Sequence, residues 1–490
     1  METRTVFDRR NVSMMMDLYE LTMANGYFKQ EQQAKKVAFD VFYRRNPDQG
    51  GFSIFAGLEQ ILEYLEGLHF ADADIKYLRS LNLFGEDFLE YLRGFRFTGD
   101  VYAFQEGTIM YPNEPIITVV ADLVQAQIVE TELLAQVNHQ SLVATKANRI
   151  VRAANGRPVS DFGARRAHNN DAAIYGARAC YIGGVTGTAT VSAGQEFDIP
   201  VGGTMAHSWV MFYRDELTAF RKFAEVYPDN CILLVDTYDV LRSGMPNAIR
   251  VFEEMRARGI TSKNYGIRLD SGDLAYLSTK ARKLLDDAGF TDAKIVVSNS
   301  LDEYTITSIL DQGGRIDSFG VGERMITARS EPVFGAVYKL CAVAEDGEHF
   351  EPRIKISETV EKITNPGLKS VYRVYNENGK AVADLIAGRE GLDEKAFSQG
   401  YRFVDPERPW KRMEFKNCTV KKLQNCVMAD GRRIDGHPSV RQIAAYVRRQ
   451  LNEEIWDEEQ RFEYPHKHYI DMTPEYYAMK MRMLEEKTHE

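Results

Sequence analysis

The 490-residue chain contains no hydrophobic run approaching the ~18 consecutive apolar residues that a membrane span needs, which excludes a membrane-spanning helix. Its opening METRTVFDRR is charged, and no apolar stretch follows it, so it does not read as a secretory signal. Cysteine is scarce: Cys180, Cys231, Cys341, Cys418 and Cys426 are odd in number, scattered, and never in a CxxC pair. That argues against a disulfide framework and a zinc site, and suits a reducing cytoplasm. Positive charge is in deficit, with 61 Lys and Arg against 71 Asp and Glu and a net charge of −10. A general binder of nucleic acid or of anionic membranes is thereby disfavoured, while a local basic pocket for a small anion stays open. Short-period repeats and low-complexity linkers are also missing.

What is present is the composition of a globular protein, 44% hydrophobic and 27% charged, long enough for a large core and for two or three domains. The pattern changes character along the chain. Residues 1–130 mix helical stretches (LYELTMANGYF, GLEQILEYLEGL) with alternating apolar residues broken by Gly and Pro in GDVYAFQEGTIMYPNEPIITVVADL, which reads as antiparallel strands. From 131 to 344 a strand, a polar turn and a helix recur. The strand pieces are RPVSDFG, CYIGGVTGT, PVGGTMA, CILLVDTYD, YGIRLDSGD, AKIVVSNSLD and RIDSFGVG. Such alternation implies parallel βαβ units. The continuously apolar CILLV and KIVV suit strands buried on both faces. The expected fold class is therefore α/β, with a parallel (β/α) barrel-like domain of about seven strands. A mixed α+β domain is built from the N-terminal part and from the C-terminal region, 345–490. In the latter, SVRQIAAYVRRQLNEEI and MTPEYYAMKMRMLEE read as helices, the second with a Thr cap and Pro in its first turn.

In parallel α/β folds, reacting groups gather at the carboxyl ends of the strands. Those ends carry Asp161, Arg165 and Arg166; Gly187 and Thr188; Thr204 and His207; Asp236 and Asp239; Arg268, Asp270 and Asp273; Ser298 and Asn299; and Gly320, Gly322 and Arg324. Taken singly, each has a plain structural reading. A DFG or GxG recurs by chance. An Asp before Ser-Gly can cap the next helix. Arg268 can pair with a neighbouring carboxylate. Taken together they suit phosphate and small-anion handling. Glycine turns let backbone N–H groups approach phosphate oxygens, arginine forks bind carboxylate or phosphate, and aspartates hold Mg²⁺ through water or ribose hydroxyls directly. His207, on the small-residue elbow GGTMAHSWVM, is a competent nucleophile toward a phosphoryl group if a partner fixes its tautomer. Asp236, one strand over, is the candidate for that partner.

The residues resemble those of nicotinate phosphoribosyltransferases along nearly the whole chain. The resemblance is carried by DLYELTMANGYF (17–28), FDVFYRRNP (39–47), GFSIFAGLEQ (51–60), NHQSLVATKANR (138–149), SDFGARRAH (160–168), GTMAHSWVM (203–211), VDTYD (235–239), IRLDSGD (267–273) and GAVYKL (335–340), in order and in spacing. It implies that nicotinate and phosphoribosyl pyrophosphate give nicotinate mononucleotide and pyrophosphate, with ATP as co-substrate, Mg²⁺ as cofactor and a role in NAD biosynthesis. It implies a transient phosphohistidine at His207, oriented by Asp236. Tyr19 and Phe162 would sandwich the pyridine ring, with the tyrosine supplied by a neighbouring subunit of a homodimer. Arg268 and Thr204 would meet the nicotinate carboxylate, and Arg165 would lie beside ring and phosphate. Asp270 and Ser271 would serve the phosphoribosyl group. Gly320 and Gly322, with Thr327, would cradle its 5′-phosphate, and Arg44 would reach across the dimer interface to the pyrophosphate, although Arg45 is as suitable on chemistry alone. Related nicotinamide-using enzymes carry an acid after the Gly-Thr, where this chain has Ala189, and a carboxylate there would repel nicotinate. His466 and His468 in PHKHY read as solvated histidines near a helix start. Competing readings are a nicotinamide or quinolinate phosphoribosyltransferase, a barrel lyase or isomerase acting on a sugar phosphate, and a catalytically dead homologue.

Overall fold

The computed structural model describes residues 11–359, 362–389, 391–392, 394–405, 410–434 and 436–488; the METRTVFDRR opening lies outside them. The chain divides into two compact units, Val143–Pro332 and Met1–Leu142 with Val333–Glu490.

The Val143–Pro332 unit is built on a curled parallel sheet. Its strands run in the order Gly187–Thr188, Val159–Asp161, Ser318–Val321, Lys294–Ser298, Tyr265–Leu269 and Cys231–Leu234. Five of the seven strand pieces read from the sequence as units of this set fall directly on it, and CYIGGVTGT supplies the short edge strand at its end. The seventh does not. PVGGTMA makes one isolated bridge, Val201 to Thr188, and then leaves the sheet, so the count is six. Pro200 has no N–H to donate, and Gly202 and Gly203 have no side chains to pack. The helices between strands begin where Asn169, Asp215, Asp273 and Asp302 accept a backbone N–H from three residues on. Each such cap stabilises its helix by about 1 kcal/mol. They also place the strand-to-helix turns, and hence the chemistry, at one edge of the sheet. The stretch SWVMFYRDELTAFRKFAEV folds with His207 as two helices, His207–Phe212 and Glu216–Val226, the second capped by Asp215.

In the other unit, Lys36–Phe42 pairs antiparallel with both Ile117–Asp122 and Val337–Ala344. Asp100–Phe104 joins the same sheet and pairs with Gln424–Ala429. Both ends of the chain thus contribute strands to one sheet. The compact units consequently part at 142/143 and 332/333, whereas the sequence pattern was divided at 130/131 and 344/345: Val337–Ala344 takes its hydrogen bonds from the N-terminal strand and not from the parallel sheet. The final helix starts at Pro474, and Thr473 Oγ1 accepts from Tyr476 N.

PHKHY is corrected in part. His466 is exposed, but the His468 side chain is only 1% exposed. It stacks on Tyr111 with centroids 4.0 Å apart and lies between Glu459 Oε1 (3.2 Å) and Asp384 Oδ1 (3.3 Å). Asp384 is paired on its other side with the buried Arg373. This histidine belongs to an internal ionic network, not to solvent.

Candidate active site

The carboxyl edge of the parallel sheet collects most of the residues singled out from the sequence. Arg268 leaves the Tyr265–Leu269 strand with its side chain 13% exposed. Its NH1 donates to Thr204 Oγ1 (2.8 Å) and to the Met205 carbonyl (3.1 Å), and its NH2 lies 3.5 Å from Asp270 Oδ1. Burial lowers its pKa; Asp270 and Asp236 oppose that, and Arg165 adds to it. The guanidinium carbon sits 6.0 Å from the centre of the Phe162 ring. Phe162 is held by its N–H to the Val321 carbonyl, and its ring lies against Gly320. A Cβ at 320 would come within 2.4 Å of that ring, so this glycine is required by close approach.

His207 opens its short helix at the end of the glycine elbow, 38% exposed. Its Nδ1 is 3.1 Å from Thr237 Oγ1. Its Nε2 faces two carboxylates, Asp270 Oδ2 at 3.7 Å and Asp236 Oδ1 at 3.9 Å. The imidazole hydrogen bond therefore falls to Thr237, a residue not singled out from the sequence, and Asp236 stands beyond hydrogen-bond reach on the other nitrogen. The Asp236 side chain is 1% exposed. Its Oδ2 accepts from Asp270 N (2.9 Å) and Ser271 Oγ (2.6 Å), while its buried Oδ1 has no hydrogen-bond partner. Asp270 Oδ1 also accepts from Ser298 Oγ. Beyond Ser298, Asn299 and Ser300 both take positive φ, 81° and 53°. A pair of non-glycine residues in that region is held by its surroundings at a cost of order 1–3 kcal/mol each, a feature that clusters at functional turns.

Other candidates prove to be local fasteners. Asp161 is fully buried, accepting from Thr188 Oγ1 and Gly163 N, and burial raises its pKa. Asp239 accepts from the N–H groups of Leu241 and Arg242, and Asp273 from Tyr276 N. Arg324 is tied to Asp302. Thr327 Oγ1 donates to the Glu323 carbonyl of its own helix. Gly322 begins that helix, Arg165 is exposed, Arg166 lies 3.9 Å from Glu323, and Ala189 is exposed just past Thr188. Tyr19 and Arg44 belong to the other compact unit. Tyr19 is 43% exposed; burial and a hydrogen bond with Glu130 raise its pKa. Arg44 lies 5.8 Å from the Phe42 ring centre. An aromatic cleft of about 630 Å³, lined by Trp209, Phe212, Tyr213, Phe223 and Tyr227, adjoins the Thr204 segment, but the ionisable groups are in the cluster around Asp270. That cluster offers a fixed cation, two acidic side chains, an imidazole and an aromatic floor, a set able to orient a planar anionic substrate beside a nucleophile.

Comparisons with known proteins agree along the chain. Three family profiles match: the nicotinate phosphoribosyltransferase (NAPRTase) N-terminal domain over residues 14–138, the nicotinate phosphoribosyltransferase (NAPRTase) family over 158–396, and the nicotinate phosphoribosyltransferase C-terminal domain over 368–480. The chain is similar to a nicotinate phosphoribosyltransferase of Bacillus subtilis, 46% identical over 98% of this chain and 96% of the relative. Among solved structures it resembles human nicotinic acid phosphoribosyltransferase, with TM-score 0.83, 26% identity, and coverage of 96% of this chain and 100% of the other. It also resembles a nicotinate-nucleotide pyrophosphorylase of Pyrococcus furiosus, with TM-score 0.67, 26% identity, and coverage of 91% and 96%.

Proposed function

The chain belongs to the nicotinate phosphoribosyltransferase family and carries out that family's reaction, and on that premise we propose how its own residues do so and that a phosphohistidine at His207 couples the reaction to ATP. The observation that carries the proposal is the shared carboxylate: Arg268 and His207 lie 3.5 and 3.7 Å from the two oxygens of Asp270, so a substrate held by one is within reach of the other.

Nicotinate enters with its carboxylate toward Arg268, whose guanidinium is already oriented by Thr204 and Met205. A fixed fork loses little freedom on binding a carboxylate. Phe162 supplies one face of the ring slot. Tyr19 supplies the other from a second subunit, which makes the working form a homodimer, and Arg165 lies beside ring and phosphate. The neutral Ala189 leaves the acid unopposed. Asp270 and Ser271 hold the ribose hydroxyls, Gly320 and Gly322 with Thr327 receive the 5′-phosphate, and Arg44 of a second subunit meets the pyrophosphate. The unprotonated pyridine nitrogen attacks C1 of the ribose as the C1–O bond to pyrophosphate breaks, so no general base is needed.

The unpartnered Oδ1 of Asp236, buried beside Asp270, fits a divalent cation. Asp236 and Asp270 would hold Mg²⁺ through water, and the ion supplies neutralisation of charge on the departing pyrophosphate. In the coupled half-reaction an imidazole nitrogen of His207 attacks the γ-phosphorus of ATP, the bond to ADP breaks, and the ring proton passes to a neighbouring carboxylate or water. Thr237 fixes the ring, and Asp236 and Asp270 stabilise the positive charge it gains. The reaction takes place in the cytoplasm; among the described residues no helix is long and apolar enough to cross a membrane.

The test is incubation with γ-labelled ATP and Mg²⁺, followed by peptide mapping. Acid-labile label on His207, lost in His207→Ala, is the expected result. Equal labelling of that variant overturns the phosphohistidine. A parallel assay of nicotinate, nicotinamide and quinolinate by pyrophosphate release reads the substrate.

A further inference from the structure

The guanidinium of Arg268 has a rival for its substrate inside the protein. NH1 is occupied by Thr204 and Met205, which leaves the edge formed by Nε and NH2. Nε on that edge is buried and has no hydrogen-bond partner among the described residues. NH2 has Asp270 Oδ1, at a stretched 3.5 Å. A carboxylate that closes on such an edge makes two parallel N–H···O bonds of about 2.7–2.9 Å. Asp270 is within reach and carries the right charge, yet it does not close.

The reason lies on the next strand. The main chain of Asp270 is fixed, because its N–H donates to Asp236 Oδ2 at 2.9 Å. Only its side chain can turn. Strand register brings Ser298 level with it: Val297 pairs with Leu269, and Ser298 follows Val297. Ser298 is 3% exposed, and its hydroxyl donates to Asp270 Oδ1. That is the oxygen nearest Arg268, and the hydrogen bond holds it back. Oδ2 is left on the His207 side, 3.7 Å from Nε2.

We propose that Ser298 is a positioning residue for nicotinate recognition. Its hydrogen bond restrains the Asp270 carboxylate from closing on the Nε and NH2 edge of Arg268, and so keeps that edge open for the carboxylate of the substrate. The inference rests on the reading of Arg268 under the proposed function. Ser298 need not touch nicotinate to do this. It biases one side chain between an open and a closed arrangement, and a ligand that requires the open one binds with its affinity reduced by the fraction that is open. Without the hydroxyl the open arrangement loses a donor, while the closed ion pair, largely shielded from water, keeps its full attraction.

The test is nicotinate binding to the full-length protein, measured by equilibrium dialysis with radiolabelled nicotinate, which requires no turnover. Ser298→Ala is expected to weaken binding about tenfold, the effect of closing the edge in about nine molecules of ten. Ser298→Thr, which keeps the hydroxyl, is expected to stay within about threefold of the parent. The decisive comparison uses Asp270→Ala, which removes the rival carboxylate. In that background Ser298→Ala is expected to change the dissociation constant by less than about twofold, because nothing is left for the hydroxyl to restrain. A merely structural serine would weaken binding equally in both backgrounds, and that result overturns the proposal. Arg268→Gln separates this inference from the reading beneath it. Binding lost in Arg268→Gln but parental in Ser298→Ala overturns the role of Ser298 alone. Parental binding in Arg268→Gln overturns the carboxylate site, and this inference with it.

Discussion

The imidazole of His207 is held by Thr237: Nδ1 lies 3.1 Å from Thr237 Oγ1, while both nearby carboxylates face the opposite nitrogen. When Nδ1 donates to Thr237 Oγ1, Nε2 keeps its lone pair for attack on phosphorus while the hydrogen bond fixes the ring. Removing that hydroxyl releases the ring. Thr237→Val, close to isosteric, is expected to slow labelling of His207 by γ-labelled ATP about tenfold, equivalent to one neutral hydrogen bond of about 1 kcal/mol with some loss of orientation. Thr237→Ser, which keeps the hydroxyl, is expected to stay within threefold of the parent. A single-turnover labelling time course decides it: a valine variant labelled at the parental rate assigns the positioning to the carboxylates.

Arg268 tests the other side of Asp270. Its NH1 is engaged by Thr204 and Met205, so the remaining fork is presented in one orientation. Lysine keeps the charge and loses that geometry. Arg268→Lys is expected to lower kcat/KM for nicotinate about a hundredfold, corresponding to a charged hydrogen bond of about 1.5–3 kcal/mol. Turnover of nicotinamide, which has no carboxylate to meet the fork, is expected to change less than fivefold. Steady-state kinetics on the two substrates checks this, and an equal loss on both would remove Arg268 from carboxylate recognition.

The strand ends were legible because alternation of apolar strand and polar turn is written in local sequence, and topology then converts position into proximity. That is why His207, Asp236, Arg268 and Asp270 fall into one cluster. PVGGTMA looked like the other strands in composition, but a strand is made by its ladder, and Pro200 with two glycines offers little to one. Thr237 went unnoticed because a hydroxyl between Asp236 and Tyr238 has no spacing signature; only its distance to the ring marks it. Gly320 was read as a phosphate turn, and the structure adds a steric reason that no motif carries, the Phe162 ring beneath it.

That contact makes a prediction of its own. A methyl group at position 320 would meet Phe162 Cε2 at 2.4 Å, with the Phe162 backbone fixed by its N–H to the Val321 carbonyl. The ring must therefore shift, at a cost of about 1–3 kcal/mol of overpacking. Gly320→Ala is expected to lower the melting temperature and to raise KM for nicotinate about tenfold, because the displaced ring is the proposed floor of its slot. Calorimetry together with initial rates separates the two effects. A destabilised variant with unchanged KM would show that the floor is not where nicotinate lies.

His468 provides a pH test in the unit away from the parallel sheet. Burial alone would lower its pKa, but Asp384 and Glu459 on its two sides hold it above the ordinary histidine value. A group whose pKa is raised on folding binds its proton more tightly in the native state. Its contribution is therefore fully present below the unfolded value of about 6.5 and is lost as pH rises through the folded value. His468→Gln keeps a hydrogen-bonding side chain and removes the charge, leaving Asp384 to Arg373 alone. The variant is expected to be less stable than the parent by about 3 kcal/mol at pH 6, as for a broken buried ion pair, and the gap is expected to narrow steadily towards pH 9. Urea unfolding of both proteins at matched pH values reads the difference directly. A gap that is constant from pH 6 to 9 would mean that His468 is neutral in the native state, and that Asp384 and Glu459 hold it by hydrogen bonding and not by charge.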